Sequence, residues 1–431
     1  MRILLINPPN CGRSIPEERY GITSIKKIFR SEPLALEALA GNLYGHEVRI
    51  VDLKVEPEAL ESALNSFAPD MVGFTAVTCE AQTVLAMATT VKELSGAMVV
   101  VGGVHASCQP DFFNQPQIDF VVVGLGKQSL RELVEELERG NNHPQIPGIA
   151  KANPGGSLQL IPRGYSNADL VDQVPPRYDL VDHYRPHYTL ENLKIPLGLV
   201  SSAVGCPYDC HFCCISPITG GHYLTADIDS VVRDIKLLDA VPVIRLVDAN
   251  SFGNPATALK LAEAIAAAGI NKQYFADVRA DLVVRQPDLI KRWKEVGLRA
   301  VVIGFEEIDD QALRQMNKAA EAAKNRQAIE ILHRLGVTIV GDFIISPEYR
   351  EEQFDLLGAY VREQAIELPI YTVLTPLPGT ILYRQLAPRI TNHDLDYYTL
   401  TNAVLPTYLD EELFYQRYAA LLREGHDRAK L

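Results

Sequence analysis

The chain has 431 residues, 47% of them hydrophobic and 22% charged, with a formal net charge of −13. That length exceeds one ordinary core and suits two domains plus a smaller element, and the charged fraction is that of a folded chain. The acidic balance argues against a dedicated nucleic-acid binder, which needs a basic footprint, so no nucleic-acid partner is expected. No apolar run is long enough to span a bilayer, and the opening MRILLINPPN lacks the cleavage site of a signal peptide. A cytoplasmic location is expected, with peripheral work on membrane-borne substrate left open.

Arg2–Ile6 reads as a short buried strand. Ser31-Glu32-Pro33 reads as a helix start, with Leu36, Leu39 and Leu43 on one face and Gly45 as the stop. Val48–Leu53 and Met71–Thr75 are predicted strands, followed by a helix from about Glu80 to Leu94 and strands at Ala97–Gly102 and Phe120–Val123. Five apolar strands separated by helices predict an α/β fold over 1–139, a doubly wound, Rossmann-like parallel sheet that binds ligands outside the carboxyl ends of its strands. Over 140–193 prolines from Pro144 to Pro186 break the pattern, which reads as a linker able to fold over a site.

A second alternating series follows. Strands are predicted at Leu197–Ser201, Val243–Val247, Tyr274–Val278, Ala300–Gly304, Val337–Ile345 and Tyr371–Leu374. Helices are predicted at Asp229–Leu238, Pro255–Ala267, Pro287–Glu295, Ala320–Leu335 and Glu352–Gln364. Six units without a closing pair predict an open, partial (β/α)6 barrel of the TIM type over 194–386, with catalytic groups at the carboxyl ends of its strands. The remainder, 387–431, is a short Tyr-rich element predicted to be helical.

Seven cysteines in a cytosolic chain argue against a disulfide framework. Cys206, Cys210 and Cys213 form a Cys-x3-Cys-x2-Cys triad just past a predicted strand, a spacing that lets one tight loop wrap three thiolates around an iron–sulfur cubane. Three ligands leave the fourth iron open. The competing reading is a zinc site completed by Cys214 or His211, in which the adjacent Cys213 and Cys214 would have to face one ion under strain.

The triad, with Phe212 before its third cysteine, resembles the radical S-adenosylmethionine (SAM) superfamily. The resemblance implies a 4Fe-4S cluster on Cys206, Cys210 and Cys213, SAM on its open iron, and reductive cleavage of SAM to a 5′-deoxyadenosyl radical. Later segments resemble the cobalamin-binding branch. Asp248, in Val247–Phe252, ends the second strand where related enzymes face SAM. Arg279 ends the third and is suited to pairing a carboxylate. Glu306 ends the fourth, followed by Met316-Asn317-Lys318, although Glu307 and Ile308 stand where the family carries Ser and Gly. Thr375–Thr380 is a further match. Taken without the family, Asp248 reads as a cap, Arg279 as a solvated charge and the Pro376–Thr380 stretch as a rigid turn.

The first βα turn, Ile6–Asn10, has no Gly-x-Gly-x-x-Gly, which removes the dinucleotide reading. Thr75, Thr78, Gly102, Gly103 and His105 instead resemble the cobalamin-binding domains fused to radical SAM enzymes, with glycines that let a bulky ligand approach. Gly124 and Gly126 persist from the family's Gly-Glu-Gly-Glu, with Leu125 and Lys127 replacing its acids. No Asp-x-His-x-x-Gly occurs, so the resemblance implies cobalamin with no protein histidine on cobalt; His105 is read as a tail or packing contact.

The resemblance runs from Ile3 to about Tyr418. It implies a C-methyltransferase acting on a small-molecule, lipid or tetrapyrrole substrate, with an external electron donor such as flavodoxin or ferredoxin. The tail Asp396–Thr407 is similar to those of hopanoid C-3 methylases and bacteriochlorophyll side-chain methylases. The alternatives are a non-methylating cobalamin radical enzyme, such as a ring cyclase, and a cobalamin-binding sensor with a vestigial barrel.

Overall fold

The computed structural model describes residues 1–22, 31–170, 174–190 and 195–428. Among them, β1 (Arg2–Asn7), β2 (Glu47–Asp52), β3 (Met71–Thr75), β4 (Met98–Gly102), β5 (Phe120–Val122) and β6 (Ile149–Lys151) make one sheet in the order β2-β1-β3-β4-β5-β6. The first five strands run parallel and β6 pairs antiparallel with β5. The inner strands β3, β4 and β5 are almost wholly apolar because both faces are covered, whereas edge strand β2 exposes Glu47 and Arg49. Leu4 and Ile6 join the core on one side, and Ile3 and Leu5 the core on the other. Strand order reverses between β1 and β3, where such sheets open a crevice at their carboxyl edge.

The second sheet holds β7 (Thr189–Leu190), β8 (Ile195–Val200), β11 (Val243–Leu246), β12 (Gln273–Val278), β13 (Leu298–Glu306), β14 (Thr338–Ile345) and β15 (Leu368–Val373), in the order β15-β14-β13-β12-β11-β8-β7. From β8 to β15 every neighbour is parallel, with a helix between successive strands, which is the partial barrel read from the sequence. β9 (Ala203–Val204) and β10 (Leu224–Thr225) form a small ribbon around the cysteine loop. Two helices begin where the sequence places them, at Pro255 and Pro287, because proline at the first helical position sacrifices no hydrogen bond.

The connection predicted over 140–193 is more structured than its prolines suggest, with residues 171–173 and 191–194 outside the described set. It supplies β6 to the first sheet and β7 to the second, and Tyr178, Val181, Tyr184 and Tyr188 are buried. Buried Glu32 ties the two domains, pairing with Arg185 and accepting from the Leu199 amide of β8. Asp52, at the end of β2, accepts from Asn7 Nδ2 at 2.8 Å and Tyr188 Oη at 2.9 Å, so it is a buried strut.

The C-terminal element is helical only from Glu411 to Arg428. The preceding stretch is irregular because it is bonded to the N-terminal segment. Asn402 Oδ1 accepts from the Ile15 amide at 2.8 Å, Asn402 Nδ2 donates to the Arg13 carbonyl at 2.7 Å, and the Arg13 amide donates to the Asp396 carbonyl at 2.6 Å. No helix among the described residues is long and apolar enough to cross a membrane.

Candidate functional site

The cysteine loop leaves β8 through a turn held by Asp248. Its carboxylate accepts from the Ser202 amide at 2.8 Å, Ser202 Oγ at 2.6 Å, the Ala203 amide at 2.8 Å and Ser201 Oγ at 3.3 Å. Burial raises Asp248 to about 6 against those donors. With both oxygens engaged, Asp248 shapes the entrance to the loop. Gly205 follows with φ +83°, and a Cβ there would run into the His222 carbonyl across the loop, so only glycine fits.

The loop is then braced from three further strand ends. The Arg279 guanidinium, just past β12, lies over the Tyr208 ring, donates through Nε to Asp281 Oδ1 at 2.8 Å, and reaches the Lys318 and Ala319 carbonyls at 2.9 and 3.0 Å. Tyr208 donates to the other Asp281 oxygen at 3.2 Å. The Met316-Asn317-Lys318 stretch acts through its backbone and side chains alike: the His211 amide donates to the Met316 carbonyl at 3.1 Å, and Asn317 Nδ2 reaches Asp209 Oδ1 at 2.9 Å. From beyond β15 the Leu382 amide donates to the His211 carbonyl at 2.9 Å.

Cys206, Cys210 and Cys213 sit in this frame as free, half-buried thiols. Burial raises Cys210 against the opposing charges of Lys318 and Arg279, and pushes Cys213 up to about 12. A buried thiol becomes a thiolate ligand when a cation is there to meet it. Among the described residues no three His, Cys, Asp or Glu side chains converge as ligands of a single ion. Three thiols on one loop are a donor set that fits an iron–sulfur cluster with one open position.

Glu306 ends β13 at φ +63°, is buried, and pairs with Lys318 Nζ at 2.5 Å above Gly304, where a Cβ would strike both groups. Its neighbour Glu307 is bonded to Tyr349 instead.

At the carboxyl edge of the first sheet, Thr75 is half-buried at the end of β3, and Gly103 follows β4 with φ +97°. A Cβ on Gly103 would lie 2.7 Å from both the Ala76 nitrogen and Thr75 Oγ1. Gly102 borders Val122 of β5, and Gly126 begins the helix Gly126–Glu138. These glycines let backbone and side chains pack closely at the carboxyl edge, which is where sheets of this kind take their ligands. Thr78 and His105 lie beneath it: His105 is fully enclosed, its Nδ1 is 3.3 Å from Thr78 Oγ1, and Phe112 and Phe113 meet its ring edge-on. Burial lowers His105 to about 4. The sequence reading missed Tyr165 in the connection, whose hydroxyl accepts from the Leu125 amide at 2.9 Å and lies against Gly124.

The two sets meet. Cys108 ends the short helix after Gly103, and its thiol points at the Cys214 carbonyl at 3.9 Å. Gly379 of the Pro376–Thr380 turn packs on Cys108, with space for a Cβ only 2.7 Å from the Cys108 Cβ. The glycine-lined edge and the cysteine loop therefore share a border.

Two family models match the chain: the B12 binding domain over residues 29–134 and the radical SAM superfamily over 200–357. The hopanoid C-3 methylase of Methylococcus capsulatus is 31% identical over 401 residues, covering 90% of this chain and 75% of that protein. The anaerobic magnesium-protoporphyrin IX monomethyl ester cyclase of a Synechocystis species is 25% identical over 377 residues, covering 82% and 71%. Among solved structures, the radical S-adenosylmethionine methyltransferase TsrM from Kitasatospora setae, with cobalamin and a 4Fe-4S cluster bound, superposes with a TM-score of 0.76 at 17% identity, covering 100% of this chain and 92% of that one. That likeness is one of fold.

Proposed function

We infer function from one premise, that this chain belongs to the cobalamin-dependent radical SAM family: it is a methyltransferase that moves a methyl group from SAM, by way of cobalamin, to a poorly activated carbon of a small molecule. The observation that carries the reading is the shared border at Cys108 and Cys214, which sets the glycine-lined edge beside the cysteine loop. A transfer that needs both a radical and a methyl carrier at one substrate carbon requires that adjacency.

In this reading Cys206, Cys210 and Cys213 hold the 4Fe-4S cluster, and Thr75, Gly102, Gly103, Gly124 and Gly126 line the cobalamin edge. When bound, the cluster supplies the electron that splits SAM, and cobalamin carries the methyl group. The protein's own part is positioning. Asp248 and Arg279 fix the loop, and the buried Glu306–Lys318 pair offers a charged wall beside it. Thr78 and His105 support the cobalamin edge from below. A one-electron donor of the flavodoxin or ferredoxin type supplies the reductant, and the protein works in the cytoplasm.

The test is stoichiometric. Anaerobic turnover with methyl-labelled SAM on extracts of the native organism should yield S-adenosylhomocysteine and 5′-deoxyadenosine together with a labelled product. Altered substrate with 5′-deoxyadenosine, but no S-adenosylhomocysteine and no label, would replace methyl transfer by a cyclase-like reaction.

A further inference from the structure

The stretch ahead of the C-terminal helix carries its polar residues inside and one large apolar residue outside. Thr399, Thr401 and Asn402 are buried, whereas Leu400 between them is 39% exposed. The three polar side chains are all engaged with the N-terminal segment. Thr399 Oγ1 donates to the Arg13 carbonyl at 2.9 Å, Thr401 Oγ1 donates to Ser14 Oγ at 3.1 Å, and Asn402 binds Ile15 and Arg13. Leu400 is held from the other side: its carbonyl accepts at 2.7 Å from the amide of Val373, the last residue of β15. Its backbone is left-handed, with φ +64°, a conformation that a bulky side chain adopts only under strain.

Leu400 stands where the two domains bring their carboxyl edges together. A Cβ on Gly12, in the loop after β1, would lie 2.7 Å from Thr399 Cγ2, 3.0 Å from the Cys79 Cβ and 3.1 Å from the Asp396 carbonyl oxygen. The loop after β1, the turn after β3 and the tail therefore converge on one point, beside the end of β15. Val77, which opens the turn after β3, is exposed as well. From Tyr398 to Leu405 no other residue is exposed. A single exposed leucine on a surface needs no explanation. One held out on strained backbone, between buried polar neighbours and at the carboxyl ends of strands, is kept for what it touches.

We propose that Leu400 is a specificity residue that seats an apolar, hydrocarbon face of the substrate at the border between the barrel and the first domain. The inference rests on the methyltransferase reading and narrows its substrate class. A poorly activated carbon stands among C–H bonds, which offer no hydrogen bond by which to orient them. Its placement then depends on close apolar contact from side chains held in fixed positions. The left-handed turn supplies that fixity, and covering the open part of Leu400 removes apolar surface from water.

The reconstituted holoenzyme is incubated anaerobically with trideuteriomethyl-SAM and, in separate runs, with the chloroform–methanol-soluble fraction of the native organism dispersed in detergent and with its water-soluble fraction. Mass spectrometry follows deuterium in products other than SAM and its fragments. The expected product arises from the organic fraction. Leu400→Asn is nearly isosteric and suits left-handed backbone. At limiting organic fraction it should lower the yield by about 3- to 10-fold, the contribution of the open part of one leucine, and excess organic fraction should restore it, as for a loss of binding alone. Leu400→Met, apolar again, should keep the wild-type yield, and gel filtration should show equal cobalamin retention in all three proteins. Deuterated product from the water-soluble fraction alone overturns the inference and leaves methyl transfer standing. Equal yields for Leu400→Asn and wild type also overturn it. Cobalamin lost from Leu400→Asn assigns the contact to the cofactor, and a yield that stays low at excess organic fraction assigns Leu400 to the fold; either result overturns the inference. A wild-type holoenzyme that makes neither S-adenosylhomocysteine nor 5′-deoxyadenosine removes the methyltransferase reading, and this inference with it.

Discussion

The guanidinium carbon of Arg279 lies 3.7 Å from the ring centroid of Tyr208. Tyr208 stands between Cys206 and Cys210, so a side chain from the end of β12 clamps the span between two thiols. A stacked, desolvated contact of this kind contributes about 1–2 kcal/mol. Lysine keeps the charge but lacks the flat fork that stacks on Tyr208 and reaches Asp281 together. Arg279→Lys should reconstitute with less iron and sulfide than wild type and lose cluster faster on dilution; full, stable occupancy would remove Arg279 from the loop's support.

The triad predicts a sharp contrast among neighbouring cysteines. Alanine at Cys206, Cys210 or Cys213 should abolish the four-iron content after anaerobic reconstitution. Alanine at Cys214 or Cys108, which lie on the border with the first domain, should leave it intact. Iron and sulfide counts check this, and a normal count in Cys210→Ala would defeat the assignment.

Gly103→Ala forces a side chain into left-handed backbone at φ +97°, with its Cβ 2.7 Å from the Ala76 nitrogen. The expected loss is roughly 1–3 kcal/mol of stability, read from the urea midpoint, with weaker cobalamin retention on gel filtration. Gly96→Ala, which meets nothing within 4 Å, is the matched control.

His105 makes the first domain acid-sensitive. Its imidazole is lowered by burial from 6.5 to about 4, so between those values the unfolded chain binds a proton that the folded one refuses. Stability from this group is complete above about pH 6.5 and falls as pH drops toward 4, by on the order of 3 kcal/mol. His105→Phe should flatten that part of the pH profile of the urea midpoint. In the cobalamin-loaded protein, neither form should show imidazole nitrogen splitting in the Co(II) spectrum.

Most of this architecture is written locally. Long apolar strands and proline-started helices declare themselves within ten residues, which is why β3 and the helices Pro255–Ala267 and Pro287–Glu295 fall where the sequence puts them. β6 and β7 escape because three- and two-residue strands carry no period; their pairing is fixed by partners elsewhere. The same limit applies to the site. The triad is legible from spacing alone, whereas Asp248 shows only that a polar group ends a strand. That it grips residues 201–203 depends on a turn nearly fifty positions earlier.

The bonds from Asn402 to Arg13 and Ile15 also set a timetable. The Ile15 amide and its acceptor are separated by 387 residues. At a synthesis rate of roughly 5–20 residues per second, the segment around Ser14 waits about 20–80 s for its partner. The first sheet is complete once Lys151 is made, before any barrel strand exists to cover its carboxyl edge. During translation the carboxyl edge of the first sheet is therefore open on the side that later becomes the domain border, and the barrel closes over an edge that has already folded.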